Sequence, residues 1–254
     1  MIDSHSHIYL KDFDNDRKNV IEEALSNGIE KILMPNIDSE SIKNMLETES
    51  QFPNVCLSMM GLHPTSVKEN YIRELEIIEK ELNKRKYIAI GEIGIDLYWD
   101  VTFIKEQKDV LTKQLTWAKE KNLPVAIHTR NAFPEIFEVF DNVYDNRLKG
   151  VFHSFSGTLE DARKILEMPD FYLGINGSVT YKNSKLPEIL SDIGYEKLIL
   201  ETDSPYLSPV PYRGKRNDTS FIIYTAKKLA EIFSIPIETI DNITTLNTKQ
   251  LFKI

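Results

Sequence analysis

Eight apolar, β-rich segments alternate with helical patterns along the whole 254-residue chain. The segments are residues 2–8, 31–37, 55–63, 87–96, 124–128, 150–155, 171–178 and 197–203. Between them, Tyr71, Leu75, Ile78 and Leu82 recur at helical spacing within 70–84, as do Leu111, Leu115 and Ala118 within 102–121. Asn70, Thr102 and Thr158 stand where N-caps belong, the last with Asp161 three residues on in a capping-box pattern. Gly28 and Gly194 stand where helices should end. A loop bearing Pro, Arg and Gly, 204–217, precedes two more helical stretches, 218–233 and 236–252. Strand–helix alternation repeated eight times predicts an α/β fold with a single (β/α)8 TIM barrel, which usually takes about 250 residues. An open doubly wound sheet is the structural alternative. No linker or composition break divides the chain, so one domain is expected over 1–254.

A net charge of −8 argues against a protein that coats nucleic acid with a broad basic face. It leaves room for an enzyme that handles a nucleic acid end locally. No apolar run approaches the roughly 18 residues of a membrane span, and no secretory signal is visible, so no membrane partner is expected. The single cysteine, Cys56, lies in an apolar run and reads as a buried small hydrophobe. One cysteine excludes an internal disulfide framework and suits a reducing, cytoplasmic setting.

Barrel active sites form at the C-terminal ends of the strands, and the polar residues gather there. Residues two apart on a strand share a face, so His5 and His7 project together. His63 ends the third segment, Glu92 lies in the fourth, His128 ends the fifth, His153 lies in the sixth and Asp203 ends the eighth. A carboxylate inside an apolar strand is costly unless paired or bound to a cation. For Glu92 alone, a buried salt bridge would serve; for a lone His128 or His153, a hydrogen-bonded core histidine. Six N/O ligands at one mouth are too many for one tetrahedral ion and suit two. Their types suit Zn or Mn, with Mg an option.

Around this set, Glu201 shares a face with Asp203 by the two-residue rule, facing substrate-side water, an extra ion or a basic partner. Arg213, Lys215 and Arg216 form a basic cluster on the loop after the eighth strand, where barrels often hold phosphate; a solvated loop is the alternative. Arg130 could neutralise phosphate or fix a carboxylate. Tyr98 and Trp99 could stack on bases or pack on a neighbouring loop. Trp117 sits at core spacing on a helix.

The ordered motifs Asp3-Ser4-His5-Ser6-His7, Gly61-Leu62-His63-Pro64, Gly91-Glu92-Ile93-Gly94-Ile95-Asp96, Ile127-His128-Thr129-Arg130, Phe152-His153-Ser154-Phe155-Ser156-Gly157 and Glu201-Thr202-Asp203-Ser204-Pro205 cover the chain. The chain thereby resembles the TatD family of metal-dependent hydrolases, commonly described as deoxyribonucleases. The resemblance implies that His5, His7 and Asp203 hold one divalent metal ion, that His128 and His153 hold a second, and that Glu92 bridges the two. It implies that His63 contacts the substrate phosphate; Glu201, Arg130 and Arg213, read from their own placement, are further candidate substrate contacts. The implied activity is hydrolysis of phosphodiester bonds in DNA, single-stranded or end-directed, by metal-activated water with Asp203 as catalytic base. No obligate protein partner is evident. Thr65, Tyr9, Leu97 and the Asp218-Thr219 pair after Asn217 depart from the family pattern, and they touch the substrate rim rather than the implied ligands. A same-fold hydrolase of a small amide, ester or lactone is the alternative activity. A non-catalytic scaffold would lack members of the ligand set, and all six are present.

Overall fold

All eight expected strands form in a computed structural model that describes residues 1–254; seven fall within the expected apolar segment and β5 runs two residues past it. The order is β1 (Ile2–Asp3), α1 (Arg17–Ser26), β2 (Lys31–Met34), α2 (Ile42–Gln51), β3 (Cys56–Ser58), α3 (Tyr71–Lys84), β4 (Ile90–Asp96), α4 (Ile104–Lys121), β5 (Val125–Arg130), α5 (Phe133–Val143), β6 (Gly150–Phe152), α6 (Leu159–Leu166), β7 (Phe171–Ile175), α7 (Leu186–Ile193), β8 (Leu198–Leu200), α8 (Ile222–Phe233) and α9 (Ile237–Phe252). Two parallel ladders, β1-β2-β3 and β4 to β8, make up the wall. Backbone bonds close both gaps. Met60 N donates to Ala89 O (3.1 Å) and Gly91 N to Met60 O (3.1 Å) between β3 and β4. Ser4 N donates to Leu200 O (3.1 Å) and Asp203 N to His5 O (2.9 Å) between β8 and β1. The result is the (β/α)8 barrel, with no helix long and apolar enough to cross a membrane.

The helix signals hold unevenly. Thr158 and Asp161 form the reciprocal capping box, Thr158 N donating to Asp161 Oδ2 (2.8 Å) and Asp161 N to Thr158 Oγ1 (3.2 Å). Asn70 precedes α3 but its side chain makes no capping bond. Thr102 is not the cap of α4: its N–H is taken by Asp100 Oδ1 (2.8 Å), and the helix begins two residues later.

Strand period two sorts the apolar residues into two cores. A cluster of 51 buried residues packs the wall against the helices. A second cluster fills the barrel: Ile2, Leu33, Met59, Ala89, Ala126, Val151, Tyr172 and Ile199, one from each strand or its edge, closed from below by Leu251 and Phe252 of α9. Two residues further along six of these strands stand Gly61, Gly91, His128, His153, Gly174 and Glu201. The next inward layer is therefore polar or without side chains, and it forms the floor of the site. Glu92 breaks the alternation. A register shift between Ile90 and Ile93 turns it inward, and Asn36 holds the turn by donating from its N to Gly91 O (3.0 Å) and accepting from Glu92 N (3.1 Å).

Gly94 lets β4 approach β5. Its φ is +149°, and a Cβ there would collide with the His128 carbonyl. Gly28, at φ +83°, has open space around it. Gly28→Ala should cost about 1 kcal/mol, the backbone term alone. Gly94→Ala should cost more than about 3 kcal/mol, because steric collision with a barrel strand is added. Denaturant midpoints of the two variants check this; equal losses would refute the close approach.

Candidate metal centre

Glu92 is 2% exposed and sits at the middle of all five histidines. Its Oε2 lies 3.1 Å from His5 Nε2 and 3.4 Å from His7 Nε2. Its Oε1 lies 2.8 Å from His128 Nδ1, 3.2 Å from His63 Nε2 and 3.6 Å from His153 Nε2. Asp203 Oδ1 faces the same space, 3.7 Å from His7 Nε2 and 3.9 Å from both His5 and His153 Nε2. The structure thus brings together all six residues expected as ligands, and His63 with them. Three sets have donor atoms close enough to share an ion: His5, His7 and Asp203; His5, Glu92 and His153; and His63, Glu92 and His128. His128 and His153 fall in different sets, their ring centroids 6.2 Å apart. His5 and His153 instead stack at 3.4 Å.

The outer nitrogen of each ring fixes what the inner one can do. The Tyr9 hydroxyl donates to Pro35 O (2.5 Å), so its oxygen accepts from His7 Nδ1 (3.0 Å). That tautomer leaves a lone pair on His7 Nε2, the form a metal needs. His63 is the reverse. Its Nδ1 accepts from Thr65 N (3.1 Å) beside the Thr65 hydroxyl (2.7 Å), so the neutral ring carries its proton on Nε2, facing the cavity. His128 has a carboxylate on each side, Glu92 at Nδ1 and Asp96 Oδ2 at Nε2 (3.0 Å). His153 Nδ1 lies 3.0 Å from Glu201 Oε1, a close charge contact out of hydrogen-bond alignment. His5 Nδ1 is buried without a partner.

Electrostatics follow from this packing. Burial lowers His5 and His63 against the pull of Glu92. Burial opposes ionisation of Glu92, but His63, His5 and His153 hold its carboxyl well below the usual range. Burial would also lower His153, yet Glu201, Asp203 and Glu92 hold its proton, up to about 10. Burial pushes Asp203 up to about 6 against the attraction of His153 and His7. The donor set fits divalent cations. Five imidazoles surround the Glu92 carboxylate, and His153 holds a proton that a cation would displace.

Two backbone positions at the site are left-handed without being glycine, Ser154 at φ +48° and Asp203 at φ +59°. Such conformations cost on the order of 1–3 kcal/mol and persist only where surroundings enforce them. For Asp203 the enforcing contact is a buried latch that the sequence reading did not single out. Asp3 accepts from Thr202 N (2.9 Å) and Thr202 Oγ1 (2.6 Å), joining β1 to the end of β8.

The left-handed turn also overturns the substrate-side placement of Glu201. The two-residue rule requires extended backbone, and Asp203 departs from it. Glu201 is fully buried behind His153, accepts from Ser154 N (2.6 Å), and fills space that a side chain at Gly174 would occupy. A cavity of about 1050 Å³ opens above the histidines, lined in part by Trp99, Arg130, Tyr206, Arg213 and Lys215. Arg130 and Arg213 reach the mouth as expected. Arg216 leaves the basic cluster and pairs with Asp16 Oδ2 (2.6 Å). Trp117 and Cys56 are buried, as expected.

The chain matches the TatD-related DNase family model over residues 2–253. It is 35% identical to the uncharacterized metal-dependent hydrolase YabD of Bacillus subtilis, over all of this chain and 99% of that one. The crystal structure of YjjV, a TatD homolog from Escherichia coli K12, superposes with a TM-score of 0.93 at 28% identity, covering 100% of this chain and 98% of that one. A TatD family hydrolase from Entamoeba histolytica shares the fold, with a TM-score of 0.83 at 22% identity over 99% of this chain and 97% of that one. The chain belongs to the TatD-related family of metal-dependent hydrolases.

Proposed function

We propose that this protein cleaves phosphodiester bonds in DNA with two divalent ions held across Glu92. The observation that carries the reading is the division of that carboxylate, one oxygen facing His5 and His7 and the other facing His63, His128 and His153. His5, His7 and Asp203 would hold one ion, and His128 and His153 the other, with Glu92 shared. Bound divalent ions supply Lewis acidity at a phosphoryl oxygen and lower the pKa of water. Imidazole-rich coordination favours zinc or manganese over magnesium.

The protein's own groups then divide the remaining work. Asp203, at the edge of the cavity, accepts the proton of the attacking water on a carboxylate oxygen. His63 donates from Nε2 to a phosphate or leaving-group oxygen, since its Nδ1 is occupied as an acceptor. Arg130, Arg213 and Lys215 line the same cavity and offset phosphate charge. That rim favours an anionic diester over a neutral amide, ester or lactone. The cavity, at the upper end of the roughly 300–1,000 Å³ of small-molecule pockets, suits part of a longer chain.

Parallel assays on labelled single-stranded DNA and on a panel of small esters, amides and lactones, each with zinc, manganese or magnesium, test the substrate class. Turnover of the small substrates alone would overturn the DNA reading. Elemental analysis should find two equivalents of divalent metal per chain, and Glu92→Ala should lose both. His63→Ala should keep both equivalents while turnover falls roughly 10²–10⁴-fold, the range of proton-transfer help; loss of one equivalent would make His63 a ligand instead. Asp203→Asn should lower turnover at saturating metal over the same roughly 10²–10⁴-fold range. Its melting temperature in chelator should hold or rise, because a buried charge is removed. Activity within about tenfold of the parent would take Asp203 out of the base role.

A further inference from the structure

The loop after β4 carries two aromatic rings into solvent beside the cavity, Tyr98 at 52% and Trp99 at 72% exposure. Both rings are nonetheless held in place by contacts around the loop. Their rings meet edge to face, with centroids 4.9 Å apart. The Arg130 guanidinium lies 3.7 Å from the Tyr98 centroid and 5.4 Å from that of Trp99. Their backbone is tied down as well. Asp96 Oδ1 accepts from Tyr98 N (2.9 Å) and Trp99 N (3.4 Å), while its Oδ2 takes His128 Nε2 (3.0 Å). One carboxylate therefore fixes the aromatic loop and a metal-centre histidine in a single register. At the base of the loop Lys68 pairs with Asp100 (3.0 Å).

We propose that Trp99 is a stacking platform for one nucleobase beside the scissile phosphate, with Arg130 supporting the platform and facing the backbone. This rests on the phosphodiesterase reading and adds which part of the strand is gripped, and by what. The chemistry selects the occupant. A flat aromatic face next to a guanidinium, both lining the cavity that holds the histidines, complements a π-faced base joined to a phosphate. An aliphatic protein segment would gain nothing from the guanidinium. Every base has a π-face, so the grip is indifferent to sequence and requires the base to be unpaired.

The chain has two tryptophans, and Trp117 is 2% exposed with its Nε1 bonded to Glu79. Emission changes on adding short single-stranded DNA in chelator, where no cleavage occurs, therefore report on Trp99. Quenching is expected with an intact strand. An abasic residue, scanned along the strand, should abolish it at one position. In steady-state cleavage with metal, that abasic strand should raise KM on the order of 5- to 150-fold for the parent, the span of base–aromatic stacking. Trp99→Ala should raise KM for the intact strand similarly and add little on the abasic one, while Trp99→Phe should recover part of the loss. If DNA is cleaved without quenching and Trp99→Ala cuts it with the parent KM, the platform is overturned and the nuclease reading stands. Quenching without cleavage under any metal would leave Trp99 a base-stacking surface but overturn the nuclease reading and with it the placement beside a scissile phosphate. Neither quenching nor cleavage overturns both, and emission changes with an apolar peptide but not with DNA would make this a protein-docking surface.

Discussion

Everything at the mouth of this barrel answers to one constraint: a charged carboxylate, Glu92, is buried at its centre. An isolated charge in such a place is untenable, and five imidazoles converge on it because that is the arrangement that offsets it. The fold makes room with small residues. Gly61 and Gly91 touch where β3 meets β4, and Gly174 leaves its volume to Glu201. The apolar plug one layer down gives the polar layer a dry, close-packed floor. Stability and chemistry are therefore coupled: the groups that make Glu92 tolerable are those that leave it ready for cations.

The five histidines look alike in sequence and differ in what stands behind them. His7 is backed by a neutral phenol, His128 and His153 by carboxylates, and His63 by a donor that reverses its tautomer. His5 has nothing at its outer nitrogen. Carboxylate backing makes an imidazole more basic and favours its proton, or a cation in the proton's place. Tyr9 is thus more than a departure from the family pattern. It orients His7 without adding charge to a centre already rich in carboxylates.

Much of this was legible in the chain. Apolar β-rich runs and strand–helix succession located all eight strands, and the same-face rule paired His5 with His7, whose Nε2 atoms both meet Glu92 Oε2 although β1 itself ends at Asp3. The rule failed for Glu201 and Asp203 because Asp203 turns left-handed, which no local sequence signal announces. It was not applied to Asp96, which shares the face of Glu92 four residues earlier and meets His128. The split of the basic cluster, with Arg216 drawn to Asp16, depends on a contact about 200 residues away in the chain. Local patterns reveal which face a residue takes; they are silent on the distant partner that claims it.

The latch between Asp3 and Thr202 spans 199 residues of sequence and lies directly beneath His5 and Asp203. The contact that seals the β8–β1 seam is also the one that brings His5 and His7 to Asp203. With β1 undocked from β8, His5 and His7 would be parted from Asp203 while His128 stayed beside Glu92. Non-local closure of this kind is slow to form, because loop entropy is lost before the contacts repay it. The two ends of the chain must therefore find each other before the cluster around Glu92 is complete.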